Sequence, residues 1–211
     1  MADAVIANAL WKGEAPLVLA SKSAARHALL ASARLPFEVA SVEVDERALE
    51  AQAVAQGAGP AQTALALARA KALAAAGSAR PGRLVIGADQ TLALGSTALH
   101  KPANRAAARA QIALLAGRSH TLHSAVAVVR DDQLLFDTVE TARLTMRPLD
   151  GAVIDAYLAV AGAAVCSSVG GYQLEGPGIH LFERVEGDHA VILGLPLLPL
   201  LAFLRRQGLL L

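Results

Sequence analysis

Short apolar runs alternate along the chain with longer stretches in which apolar residues recur every three or four positions, the pattern of buried strands with helices laid on them. The most pronounced run, Leu84-Val85-Ile86-Gly87-Ala88, stops at Asp89 and Gln90. With β-branched Val85 and Ile86 it predicts a strand buried on both faces, and Asp89 should emerge at its carboxyl end on the rim of a sheet, where α/β proteins place ligands. Leu17-Val18-Leu19-Ala20 predicts an earlier buried strand and Ser21-Lys22-Ser23 a tight connection. A helix over 24–33 follows, with Leu29 and Leu30 inward and Ser23 as its N-cap.

Residues 37–44 alternate as a strand does, and a helix runs from Asp45-Glu46-Arg47 to about residue 56. Gly57-Ala58-Gly59-Pro60 breaks the chain before a long helix over 61–76, with Leu65, Ala68 and Ala72 on one face and Lys71 near its end. After the Asp89 strand, Gly95-Ser96 turns a hairpin that Leu99-His100-Lys101-Pro102 closes. Asn104 caps a helix over 105–116, residues 121–129 and 134–146 read as a long antiparallel pair, and Asp150 caps a helix to about 161. A glycine-rich segment, 167–178, precedes a strand over 179–185, and a last helix over 195–206 carries its prolines in the first turns, where missing N–H groups matter least. Residues 1–15 read as a loosely attached arm and 16–211 as a single domain.

At 211 residues the chain is long enough to bury roughly 70% of its unfolded surface without staples. Its residues are 55% apolar but only 3% aromatic, so much of the apolar content is alanine and leucine, which suits helices packed closely on a sheet. The net charge is +1 and the 19 basic residues are scattered, singly but for Arg205-Arg206, which argues against a nucleic-acid polymer as partner. A single cysteine, Cys166, has no disulfide mate in the chain and no zinc-ligand spacing around it, which fits a reducing compartment. Residues 156–174 and 190–204 carry no charge, yet the first is interrupted by Ser167, Ser168, Gly170, Gly171 and Gln173, and the second is short and holds Pro196 and Pro199. Neither reads as a membrane span. The N-terminus lacks the basic start and unbroken apolar core of a secretory signal, so a cytoplasmic location is expected.

Candidate chemistry gathers at element ends. Arg26 occupies the third position of its predicted helix, where a cation opposes the helix dipole by roughly 0.3 to 1 kcal/mol. A bound anion would reverse that sign: backbone N–H groups, the hydroxyls of Ser21 and Ser23, and the forked donors of Arg26 converge where a phosphate would sit. A capped helix with a solvated arginine is the other reading. Asp45 and Glu46 also suit an ordinary acidic first turn, Lys71 a solvated lysine complementing a helix dipole, and Asp89 a loop or cap residue. His120 and His123 fall on opposite faces of a strand and make a poor metal pair. Neither a G-x-x-x-x-G-K-[ST] loop nor a strand-linked G-x-G-x-x-G occurs.

The stretches LVLASKSAARHALL, VDER, LARAKA, VIGADQTLAL, HKPAN, LAGRSH, GGYQLEGPGIHLFERVEGD and LGLPL, in this order and spacing, resemble the Maf family of nucleoside triphosphate pyrophosphatases from about residue 16 to 207. The resemblance implies an α/β fold, a mixed β-sheet of the Maf and ITPase-like type with flanking helices and two lobes around a central cleft. It also implies a homodimer, a nucleoside triphosphate substrate and a divalent cation, Mg²⁺ or Mn²⁺. Residue by residue it makes Asp89 the catalytic aspartate, Ser21, Ser23, Arg26, Lys71 and Lys101 substrate-binding, and Glu46 with Asp89 the metal-binding carboxylates.

Departures from the family pattern are Ala24 for a proline, His100 for a glycine, and Ala25 where a larger side chain, tryptophan in one branch, helps select the base. Gln90 and Glu175 stand where pyrimidine-directed members have threonine and glutamine. With Ala25 they form the specificity set, and the Gln and Glu pair resembles the branch directed at 7-methyl-GTP. A carboxylate suits a guanine edge and would complement the positive charge that N7 methylation adds. Two other classes remain open: a nucleotide-binding regulator of cell division and septum formation without significant turnover, and a phosphomonoesterase that releases orthophosphate.

Overall fold

The computed structural model describes residues 10–211. Strands β1 (Leu17–Ala20), β2 (Phe37–Val39), β3 (Leu84–Leu94), β4 (Thr97–Leu99), β5 (Ser119–Arg130), β6 (Gln133–Met146) and β7 (Phe182–Glu186) form one mixed sheet. They lie in the order β2-β1-β3-β5-β6-β7, with β4 also paired to β3. β1 runs parallel to β2 and β3, and every other pairing is antiparallel. The helices are α1 (Ala24–Ser32), α2 (Glu46–Ala55), α3 (Pro60–Ala76), α4 (Arg105–Leu115), α5 (Gly151–Ala161), α6 (His189–Ile192) and α7 (Leu197–Arg206). Side-chain caps start several of them: Ser23 accepts from Arg26 N, Asp45 from Ala48 N, Asn104 from Ala107 N and Asp150 from Val153 N.

The small residues of α3 let it lie close on one face of the sheet. Ala64, Ala68 and Ala72 pack on Ala125, Ala127 and Val129 of β5, and Ala75 packs on Val18 and Val85. At Gly87 the approach is closest: a Cβ there would lie 2.1 Å from the Ala68 carbonyl oxygen and 2.5 Å from Ala72 N. On the opposite face the core divides in two. Leu17, Leu19, Ile86, Ala88 and Val126 pack under α1 and α7, whereas Leu92, Leu94, Leu122 and Leu144 pack under α4 and α5.

The division coincides with a notch in the sheet. β5 lines one edge of β3 from Leu84 to Ala93. The other edge is shared: β1 pairs with Val85, Ile86 and Gly87, and β4 with Leu92, Ala93 and Leu94. Residues 88–91 therefore have a strand neighbour on one side only. Asp89 lies in this gap, just beyond the end of β1.

Several expectations are corrected here. The Asp89 strand does not end at the aspartate but continues to Leu94, because β5 carries the ladder past the point where β1 stops. The strand expected over 37–44 is only Phe37–Val39, since its sole partner β1 turns away after Ala20. Residues 179–181, expected to begin a strand, belong to a 3₁₀ turn over Pro177–Leu181, and β7 starts at Phe182. Lys71 lies near the end of α3 as expected, but its side chain is paired with Asp89 and Glu46 rather than solvated. The arm expected over 1–15 falls in part outside the described residues. Of the remainder, Trp11 bridges to Leu210, and Lys12 N donates to the Leu209 carbonyl at 2.9 Å. Among the described residues no helix is long and apolar enough to cross a membrane.

Candidate active site

The notch opens into a cleft of about 1590 Å³. Its walls include Ser21, Ser23, Ala25, Arg26, Glu46, Lys71, Asp89, Gln90, Lys101 and Glu175, every residue that the family resemblance assigned to the site.

Asp89 is 8% exposed and lies on the α3 face of the sheet, where Lys71 reaches it. The Lys71 Nζ lies 2.5 Å from Asp89 Oδ1 and 2.8 Å from Glu46 Oε1. One ammonium thus ties β3 to the first turn of α2. Asp45, the N-cap, accepts from Ala48 N and so serves the helix itself.

Arg26 is bound more tightly than its place in α1 foretold. Its Nε donates to the Gly194 carbonyl at 2.7 Å, and its Nη1 donates to the Ala88 carbonyl at 2.9 Å and to Ser21 Oγ at 3.3 Å. The guanidinium therefore clasps the end of β1, the open edge of β3 and the turn after α6. Burial lowers its pKa, while Asp89 and Glu46 push the other way, and an arginine remains cationic throughout. Gly194 has φ +97°, and a Cβ on it would come within 3.3 Å of Arg26 Nε, so glycine suits the turn on both counts. Ser21 Oγ also accepts from Ser23 N at 3.2 Å, and His27 Nε2 bonds to the Ser21 carbonyl at 2.7 Å. The loop between β1 and α1 is thereby held before any ligand arrives.

Gln90, on the opposite face of β3 from Asp89, has its carboxamide orientation settled by its neighbours. Its Nε2 lies 2.9 Å from Ser124 Oγ and 3.1 and 3.0 Å from the Val191 and Ile192 carbonyls, three acceptors that share its two N–H groups. Because carbonyls only accept, the nitrogen must face α6, which leaves Oε1 as the group Gln90 can offer a ligand. Ala25 is half-buried, and Lys101 and Glu175 are exposed on the cleft walls.

The cleft also brings in residues to which sequence reasoning assigned no role. Lys22 and Arg47 add exposed cations, and Ser168, Tyr172 and Gln173 line the wall near Glu175. Lys22, set between two serines already assigned to an anion site, carried a signal that could have placed it. Arg47, next to Glu46 at a helix start, carried none. His100, the departure from glycine, lies 3.7 Å from Glu50 of α2 at the cleft's mouth.

Glu46 and Asp89 share one cation already, so the two carboxylates stand close enough to act on a single ion. Mg²⁺ favours one or two carboxylates completed by water and substrate phosphates. Among the described residues no group of three or more His, Cys, Asp or Glu could hold an ion. Two carboxylates fit the number Mg²⁺ favours and leave its other positions to ligands outside the protein.

The family described as Maf-like protein matches residues 16–207. A protein of Bradyrhizobium diazoefficiens named nucleoside triphosphate pyrophosphatase is 56% identical over 200 residues, spanning 95% of this chain and 98% of the relative. One of the same name from Rhodopseudomonas palustris is 56% identical over 202 residues, with 95% and 98% covered. A protein of Brucella abortus biovar 1 named 7-methyl-GTP pyrophosphatase is 50% identical over 191 residues, with 90% and 96% covered.

Proposed function

The chain belongs to the Maf family, and from that premise we infer that it is a nucleoside triphosphate pyrophosphatase, a hydrolase that splits its substrate into a nucleoside monophosphate and pyrophosphate. The observation that carries the reading is the Asp89, Lys71 and Glu46 bridge set in the notch of the sheet, with Arg26 behind it.

In this reading Asp89 accepts a proton from the attacking water, the water oxygen bonds to the α-phosphorus, and the bond to the bridging oxygen breaks as pyrophosphate leaves. Lys71 orients the Asp89 carboxylate before reaction and helps balance charge during it. Ser21, Ser23, Arg26 and Lys101 hold the triphosphate by charge-assisted hydrogen bonds. Glu46 and Asp89 would hold Mg²⁺ or Mn²⁺, which, when bound, spreads the charge that develops on the phosphates.

The base lies toward Ala25, Gln90 and Glu175. Gln90 Oε1 and the Glu175 carboxylate are both acceptors, which suits the N–H groups of a guanine edge, and the negative charge of Glu175 suits a 7-methylated ring. Hence 7-methyl-GTP is the proposed preference, with weak discrimination because Ala25 supplies no aromatic face for a cationic base. The enzyme is proposed to work in the cytoplasm as a homodimer. A regulator of septum formation that binds nucleotide without turnover would use the same cleft. The charged bridge favours catalysis, since binding alone needs no carboxylate opposite the phosphates.

Incubating the protein with 7-methyl-GTP, GTP, UTP and dTTP in Mg²⁺ or Mn²⁺, and identifying the products, tests the reading. Pyrophosphate with kcat/KM highest for 7-methyl-GTP is expected. Orthophosphate would mean a phosphomonoesterase, no product would leave the regulator, and a higher kcat/KM for dTTP or UTP would overturn the base assignment.

A further inference from the structure

Behind the cleft wall that carries Glu175, the reaction described above leaves one buried polar contact unused. His120 of β5 is 1% exposed and Tyr172 is 4% exposed, and their Nε2 and hydroxyl oxygen lie 2.6 Å apart. Aromatic rings surround the bond: His120 and Tyr172 stand 5.6 Å apart by centroid, and Phe182 meets Tyr172 edge-on at 4.8 Å. The other ring nitrogen, His120 Nδ1, is buried without a partner. An apolar pair would fill this cluster with no unsatisfied atom, so the polar contact is a poor device for stability. What it provides is direction, because it has one good geometry.

The segment it holds leads directly to the proposed base site. Gly170 and Gly171 have φ values of +79° and +75°, which lets the chain curl around the Tyr172 ring. Tyr157 of α5 donates to the Gly171 carbonyl at 3.1 Å, and Ser168 Oγ donates to the Tyr172 carbonyl at 2.5 Å. Gln173, whose Nε2 bonds to Ser167 Oγ at 2.9 Å, and then Glu175 follow along the cleft wall. Of these ties only the Tyr172 hydroxyl reaches the sheet. It reaches the strand face that also presents Ser124, the partner of Gln90, four residues further along β5.

We propose that His120 and Tyr172 are positioning residues for nucleoside recognition: their bond sets the place of Gln173 and Glu175 relative to Gln90, so that one strand, β5, aligns both sides of the base site. This rests on the base site lying at Gln90 and Glu175. Removing the bond should loosen the hold on the nucleoside and leave the phosphate end alone.

Product inhibition separates the two ends, since pyrophosphate reads the phosphate site and the nucleoside monophosphate reads the base site. In Tyr172→Phe, which removes one oxygen and keeps the ring, KM for 7-methyl-GTP and Ki for 7-methyl-GMP should rise about threefold to tenfold, the effect of one lost buried hydrogen bond. Ki for pyrophosphate should stay within about twofold of the parent. His120→Asn should show the same split, and the double variant should be no worse than the poorer single one, because the two residues act through one contact. A lower melting temperature with unchanged Ki for both products, equal rises in both Ki values, or additive effects in the double variant would each overturn the proposal. If the parent itself fails to release pyrophosphate, or 7-methyl-GMP does not inhibit it, the functional reading is what has failed.

Discussion

At the scale of single residues the site is tied together by Lys71 and Arg26, which each reach more than one partner. Asp89 depends on the first of them, since Lys71 orients its carboxylate in the notch. Asp89→Asn keeps the shape and still accepts from Lys71, but the carboxamide neither takes a proton from water nor carries charge. Turnover should fall by about 10² or more with the melting temperature little changed, and rates within about threefold of the parent would remove the base role. Arg26 behaves differently from what its place in α1 foretold. An arginine misplaced on a helix should be dispensable to the empty protein, yet it satisfies the carbonyls of Ala88 and Gly194. Arg26→Ala should therefore lower stability by about 1 to 3 kcal/mol as well as lowering kcat/KM, and thermal unfolding beside kinetics decides it. His120 adds a pH dependence of its own. Burial pushes its pKa from 6.5 down to about 4, so as pH falls the unfolded chain takes up the proton first. The stability contributed by the neutral folded form is complete above about pH 6.5 and is lost as pH drops to about 4, a change of roughly 3 kcal/mol. Denaturant unfolding across that range should show a steep loss in the parent and a flatter one in His120→Asn.

At the scale of elements, β3 and α3 decide the geometry together. Alanines on α3 and glycine on β3 bring helix and strand close enough for Lys71 to cross to Asp89. Gly87→Ala would place a methyl against the backbone of Ala68 and Ala72 in α3, the first about one turn before Lys71 and the second directly after it. Lifting the helix should lower stability by about 1 to 3 kcal/mol or more, and it should also lower kcat at temperatures where the variant remains folded. Unchanged kcat in the folded variant would mean that the bridge tolerates the displacement. Most of these elements were legible in the sequence because apolar period and capping residues are local signals: Ser23, Asp45, Asn104 and Asp150 each mark a helix start. Boundaries set by partners were not. β2 ends where β1 leaves it, and β3 outlasts its own apolar run because β5 continues beside it.

At the scale of the whole molecule, the candidate site was legible where its chemistry lies in contiguous stretches such as VIGADQTLAL and SKSAAR. The notch, the Arg26 clasp and the His120–Tyr172 contact were not, because each joins residues that are distant in sequence. The notch also separates two packing clusters on one face of the sheet, so a nucleotide bound there would touch the ends of elements from both. Binding should therefore stabilise the fold as a unit. A ligand at 100 times its Kd adds about 2.7 kcal/mol, which for a chain of this size raises the melting temperature by about 5 to 10 °C. An α,β-methylene analogue of GTP, whose bridging carbon resists hydrolysis, allows the measurement without turnover. With Mg²⁺ or Mn²⁺ the rise should appear in full, and with the cation chelated it should shrink sharply, because the single Lys71 ammonium is then all that lies between two carboxylates and the phosphates. An equal rise with and without cation would show that metal has no part in binding. A rise split into two transitions would show that the two clusters unfold independently and that the cleft does not couple them.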